Sequence, residues 1–320
     1  MQKNSWRRQA GAGLAAALLA AGPVAGQARD PGALVERLTS MTAVSGYEQT
    51  LTDSLLRLIP GTRRDRAGNV VLVLGSGEPR RLVACGVDEP GYVVGAVRDD
   101  GWLTLKRVAF SSDPLVDQQL EGQRITVFGR SGPVPGVVAV RSTHLARGRS
   151  SADDPFSVDG AYVDVGAASP SEVDKLGIGV LAPVALTKRP HRYGTDLLAA
   201  PGAGRRAACA ALASSAIRTH NVSGQTVVAF TVEELFTRRG LLSVGNMMGP
   251  FAQTYLVGAV SSPARGLVIT TDTASRNPSL GAVTRWYLPV RYQGSPVETV
   301  SLEDVVNLSG RIDGLLEKKP

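Results

Sequence analysis

From Leu34 onward the apolar positions alternate between two rhythms. Leu34, Val35, Leu38 and Met41 recur at helical spacing, and so do Leu51, Leu55, Leu56 and Ile59. Ser45-Gly46-Tyr47-Glu48 reads as a capping box opening the second helix, with Ser45 accepting an amide and Glu48 reaching back. Apolar strands are predicted at 69–74 and 81–85, parted by the turn Gly75-Ser76-Gly77. Between Tyr92 and about Thr187 the pattern changes to short β-type runs, YVVGAV, WLTLKRV, RITVFG, PGVVAV, AYVDVG and VLAPVAL. One helix interrupts them, with Ser169 as N-cap, Pro170 at N1, Glu172 at N3 and Gly177 closing it. Beyond this block a helix is predicted at 203–219, a strand at 226–232, a helix at 239–246 and strands at 266–270 and 286–292. Ser301 caps a final helix whose buried stripe is Val305, Leu308, Ile312 and Leu315.

Alternation on both sides of a β-rich block predicts an α/β protein: a mixed-sheet core with helices on both faces, split in sequence by an inserted β-barrel domain. The expected division is a signal peptide at 1–28, a first core segment at 29–91, the inserted domain at 92–193 and a second core segment at 194–320.

The leader changes the expected location. Lys3, Arg7 and Arg8 precede the small apolar run GAGLAAALLAAGPVAG, the layout of an export signal and too short for a stable membrane span. A periplasmic or secreted protein is expected, with no membrane contact after cleavage. The whole chain carries +7, and losing those three cations leaves +4. No basic stripe interleaved with aromatics is present, which argues against a nucleic-acid partner. Cys85 and Cys209 each lie in an apolar segment and are expected to pack as two buried thiols, a bridge requiring the segments to meet.

No G-x-S-x-G elbow, Walker-type loop or strand-to-helix G-x-G-x-x-G occurs, and Gly202–Gly204 alone is a turn. Four ordered segments do carry a resemblance: VACGVDEPGY, GRRAACAAL, FTVEELFTRRG and PVRYQGSPVETVSLEDV, supported by TAVSGYE, DRAGNVV and AYVDVGAASPSEV. Together they resemble the dinuclear-metal aminopeptidases of family M42, the tetrahedral or glutamyl type, from about Leu34 to Leu316. The resemblance implies a metallopeptidase-like core, a β-barrel insertion, zinc or cobalt as cofactor and large oligomers.

The resemblance also implies five metal-ligand positions, and the residues there are unsuited to the task. A His is expected at Gly86, with Asp88 as its supporting carboxylate; a bridging carboxylate at Gly204; a Glu at Leu235; a His at Gly294. Glycine and leucine side chains have no lone pair to give. The fifth position, a strand-end Asp, is assigned to Asp272 or to a register with Thr271 in its place. Glu234 stands in the general-base position, with Glu233 beside it. The candidate site is thus Glu234 as catalytic-type residue, Asp88, Glu233 and Asp272 as binding residues, and no metal ligand. Asp88 and Glu89 also read as structural carboxylates beside the Pro90-Gly91 turn. His144, His191 and His220 all fall outside the ligand-bearing segments.

The function read from these residues is an exported aminopeptidase homologue without metal, binding a peptide or small-molecule ligand or building an assembly. Two alternatives stand beside it: an active metal-dependent hydrolase with other ligands, and a structural subunit of a homo-oligomer or partner of an active paralogue.

Overall fold

The computed structural model describes residues 30–109, 116–139, 156–218, 221–272 and 277–317. The export segment, His144 and His220 lie outside them.

The first helices, α1 (Pro31–Thr39) and α2 (Gln49–Leu58), lead into β1 (Arg63–Arg64), β2 (Val70–Gly75) and β3 (Arg80–Gly86). The chain then enters β4 (Tyr92–Val97), β5 (Leu103–Arg107), β6 (Arg124–Gly129), β7 (Gly132–Val138) and β8 (Tyr162–Asp164). Helix α3 (Pro170–Lys175) and β9 (Pro183–Leu186) complete that block. It returns through β10 (His191–Tyr193), β11 (Leu197–Ala199), α4 (Ala203–Arg218), β12 (Gln225–Thr231) and α5 (Arg239–Met248). The last elements are β13 (Gln253–Ser261), β14 (Val268–Asp272), β15 (Ala282–Arg291), β16 (Thr299–Ser301) and α6 (Leu302–Leu316).

Two sheets result. Strands β4-β5-β8-β7-β6-β9 close into a barrel filled by Val94, Leu103, Leu105, Ile125, Val127, Val163 and Val184. The other ten strands form one sheet in the order β1-β2-β12-β3-β13-β15-β16-β11-β10, with β14 pairing β15 from off that path. Its centre, β12-β3-β13-β15, is parallel, and antiparallel strands flank it. The return to this sheet begins at His191, earlier than the expected resumption at 194, because His191–Tyr193 pairs with Leu197–Ala199 across a tight turn. Glu89 fixes the point where the chain leaves the core for the barrel. Its buried carboxylate is ion-paired with Lys188 and with Arg206 Nη2 at 3.2 Å, and accepts the Ala43 amide at 3.1 Å. Burial alone would push the Glu89 carboxyl up, but the Lys188 and Arg206 charges outweigh it and hold the group below the usual range.

Strand periodicity decides what covers each face. Along β3, Val83 and Cys85 point into the larger core with α1, α2, α4 and α6, while Leu82 and Ala84 pack with Leu241 and Val244 of α5. Helix α4 is buried almost all round, and its run of alanines lets α1, α6 and the sheet approach closely.

Three expectations need correction. The capping box is absent: α2 starts at Gln49, the Ser45 hydroxyl donates to Asp88 Oδ2 at 2.7 Å, and Glu48 accepts the Gly46 and Glu233 amides at 2.9 Å each. The Val44–Glu89 bridge pulls Ser45 inward and away from the helix end. Strand β13 has no counterpart in the hydrophobic pattern; a central parallel strand is apolar on both faces and shows no alternation. Finally, Cys85 and Cys209 are joined as a disulfide, their Cα atoms 5.6 Å apart, because the end of β3 lies against the first turns of α4.

Candidate ligand-binding cleft

A cavity of about 370 Å³ opens at the carboxyl ends of β3 and β12, bounded by the start of α4, by β13 and β15, and by the loop before β16. Parallel sheets place their sites here, where strands end and the connecting loops diverge. Gly86, Arg205, Glu234, Arg238, Gly294 and Glu298 all line it.

Glu234 follows β12 on a turn containing three left-handed non-glycine residues, Glu233, Thr237 and Arg238, with φ of 53°, 56° and 60°. Its Oε1 accepts the Leu241 amide at 2.8 Å, so this carboxylate caps the first turn of α5, whose own N-cap residue, Arg238, makes no side-chain cap. Burial pushes the Glu234 carboxyl up, opposed by the Thr231 hydroxyl and that amide and assisted by the Asp88 charge. Glu48 is raised too, by burial, against the pull of the Gly46 and Glu233 amides.

Arg205, the third residue of α4, extends toward these carboxylates. Its Nη1 donates to Asp88 Oδ1 at 3.3 Å, and its charge acts on Glu234. On the other side, Glu298 receives the Gly204 amide on Oε1 and the Gly294 amide on Oε2, both at 2.7 Å. An anion at a helix start satisfies a free amide and complements the helix dipole, and here it also ties α4 to the loop carrying Gly294.

The glycines at expected ligand positions are crowded where they matter. A Cβ on Gly86 would meet Glu234 Cγ at 2.7 Å, and one on Gly204 would meet Ala259 Cβ at 2.5 Å and Val290 Cγ1 at 2.7 Å. Gly294 has open space but a φ of +77°, unfavourable for a side-chain-bearing residue. Leu235 turns its amide to Asp88 Oδ2 at 2.9 Å.

Of the four residues expected to form the site, only Glu234 lines the cleft. Asp88 is fully buried behind it, held by Ser45, Leu235 and Arg205. Glu233 points to Arg239 at 2.8 Å. Asp272 ends the off-path strand β14 and pairs with Arg285, well away from the cavity. The strand facing the cleft is β13, and its Ala259 lies against Gly204; the lack of a sequence signal for that strand is what shifts the fifth position onto Asp272. The sequence pattern does not single out Arg238, Glu298 or Lys188, although Glu298 sits inside the segment RYQGSPVETV that carries the resemblance. His191 is exposed on β10, stacked on Tyr193.

The family model for M42 glutamyl aminopeptidase matches residues 68–252. The chain belongs to this family. Among curated M42-type relatives, the Escherichia coli (strain K12) protein named "Putative aminopeptidase SgcX" is 31% identical over 67% of this chain and 58% of its own length. The lysyl aminopeptidase of Pyrococcus furiosus is 29% identical over 52% of this chain and 49% of its own. The matched stretch therefore spans only 49–58% of the length of those relatives. The M42-like fold extends further: an aminopeptidase of Desulfurococcus kamchatkensis superposes with a TM-score of 0.79 at 20% identity, over 92% of this chain and 96% of that one. The TET1 peptidase of Pyrococcus horikoshii, described as assembling into a tetrahedron or a large octahedral shell, gives 0.76 at 21% identity over 89% and 98%.

Proposed function

We propose that this M42-family chain is an exported protein that binds a peptide or small-molecule ligand in its cleft and does not hydrolyse it at a metal centre. The observation that supports this reading is the donor set. Catalytic zinc needs three protein ligands and an open position. Among the described residues no group of three or more His, Cys, Asp or Glu could hold a metal ion. The cleft offers Glu89, Glu234 and Glu298; Glu89 is committed to Lys188 and Arg206, and the other two already accept backbone amides. Zinc or cobalt does not fit these residues. Without such an ion Glu234 lacks the acidified, metal-bound water on which a metallopeptidase base acts.

Export rests on the leader and is supported by the Cys85–Cys209 bridge, a bond that persists in oxidising compartments. Self-assembly is proposed by analogy with the shells named for the TET1 relative.

Elemental analysis and a peptide panel test the reading together. No stoichiometric zinc, cobalt or manganese and no release of amino acids are expected. Stoichiometric metal with chelator-sensitive release would replace it with an active peptidase of rearranged ligands. Intact-mass measurement should place the mature start near residues 27–30; an intact Met1 in exported material would overturn cleavage. Light scattering at the monomer mass would remove the assembly proposal.

A further inference from the structure

The charges in the cleft are unequally engaged. Three carboxylates line it, and each has partners: Glu89 holds Lys188, Arg206 and the Ala43 amide; Glu298 holds two glycine amides; Glu234 holds the Leu241 amide and the Thr231 hydroxyl. Of the three cations, Lys188 is buried and turned to Glu89 and to the Pro201 carbonyl at 3.0 Å. The other two are not. Arg205 spends one Nη on Asp88 and keeps its remaining N–H groups, with its side chain 37% exposed. Arg238 is exposed, and among the described residues its guanidinium has no hydrogen-bond or ion-pair partner. Two planar forks therefore reach one cavity with donors to spare.

From this imbalance we infer that the cleft is a carboxylate-binding site, in which Arg205 and Arg238 receive the carboxylate of an organic acid or of a peptide C-terminus. The inference deepens the binding role proposed above and rests on it. Guanidinium groups match a carboxylate in shape and charge, each able to donate two parallel N–H bonds. The carboxylates that a ligand amine would seek already hold donors, whereas both guanidinium groups keep donors of their own. The cavity, about 370 Å³, is at the small end of ligand pockets and suits a di- or tricarboxylate or the last two residues of a peptide. Asp88, in this arrangement, is the positioning residue, since it holds one Arg205 Nη at 3.3 Å.

Isothermal titration on the purified full chain decides it. The probes are N-acetyl-dialanine, which has a carboxylate and no amine; alanyl-alanine amide, which has the amine and no carboxylate; and succinate as a free acid. N-acetyl-dialanine or succinate should bind, more weakly as salt is raised, and which of the two does so identifies the source of the carboxylate. Arg205→Gln should weaken that binding about tenfold or more, and Arg238→Gln several-fold. Alanyl-alanine amide should not bind. Tighter binding of the amide, no binding of either acid at about 10 mM, or unchanged affinity in both variants would each overturn the inference. Should Arg205→Gln fail to fold for want of its Asp88 contact, the exposed Arg238→Gln carries the test, with melting curves as the gate. Metal content and turnover on the same preparation keep the two readings separable: a metal-loaded, cleaving protein ends the non-hydrolytic proposal, whereas a metal-free protein indifferent to carboxylates ends only this one.

Discussion

Replacing both Cys85 and Cys209 by alanine should markedly weaken the fold. The bridge closes a loop with a sequence separation of 124, which encloses the whole barrel. In the chain-entropy account a loop of that length removes about 5 kcal/mol of freedom from the unfolded chain. Both sulfurs lie in the buried core, so the alanines add a small packing loss in the same direction. For a chain of this size each kcal/mol moves the melting temperature by roughly 2–4 °C, giving an expected fall of about 10–20 °C. The assay is a paired urea titration and melt of oxidised wild type, wild type unfolded and refolded under reductant, and the double alanine variant. The reduced protein should show most of the loss and the variant slightly more, the difference between them measuring the packing of the two side chains. Alkylation finding two free thiols in the native protein would refute the pairing. A double variant within about 1 kcal/mol of an oxidised wild type would refute the entropic argument, because residual structure in the unfolded chain would already be holding the ends together.

Glu234→Gln should raise stability at neutral pH. The folded state holds this carboxyl above its ordinary 4.5, so its contribution is complete below that pH and is lost as pH rises through the raised value. Glutamine keeps an acceptor for the Leu241 amide without the buried charge; melts should show the variant ahead at about pH 7–8 and the two converging below about pH 4.5, and parallel curves at every pH would sink the assignment. Glu89→Gln strips a buried cluster of its central anion while Lys188 and Arg206 stay behind; a loss of about 3–5 kcal/mol is expected in urea, and a loss under about 1 kcal/mol would mean those cations reach water instead. Gly204→Ala should cost about 1–3 kcal/mol through its contacts with Ala259 and Val290, measured by thermal shift, and a neutral outcome would show that α4 can slide outward.

The fold was legible wherever burial is one-sided. Amphipathic stripes mark α1, α2 and α6, and short β runs with Gly-rich turns mark the barrel. The central strand β13 was not legible, since it is paired on both edges by β3 and β15, and consecutive residues such as Thr254 and Tyr255 are both buried, so no periodic signal survives. The site shows a similar divide. Gly86, Gly204 and Gly294 could be read because their flanking words are intact, but what now occupies their surroundings could not. Glu298 is remote in sequence from the α4 and β12 segments, and only folding joins it to Gly204. Asp88 and Glu233 stand out for their neighbours in sequence, while their side chains turn respectively behind the wall and toward Arg239.

The tight packing around two glycines also gives this fold a direction in time. A lineage that lost a donor at position 86 or 204 and left the space open could regain it by one codon change. Here Glu234 Cγ lies 2.7 Å from where a side chain on Gly86 would begin, and Ala259 and Val290 lie as close around Gly204. A single reversion at either position collides with the settled neighbours, and clearing those neighbours first removes the cap on α5 or loosens the sheet beneath α4. Substitution one residue at a time is therefore steered away from these two positions and toward the exposed rim, where Gln293 can vary without disturbing the core.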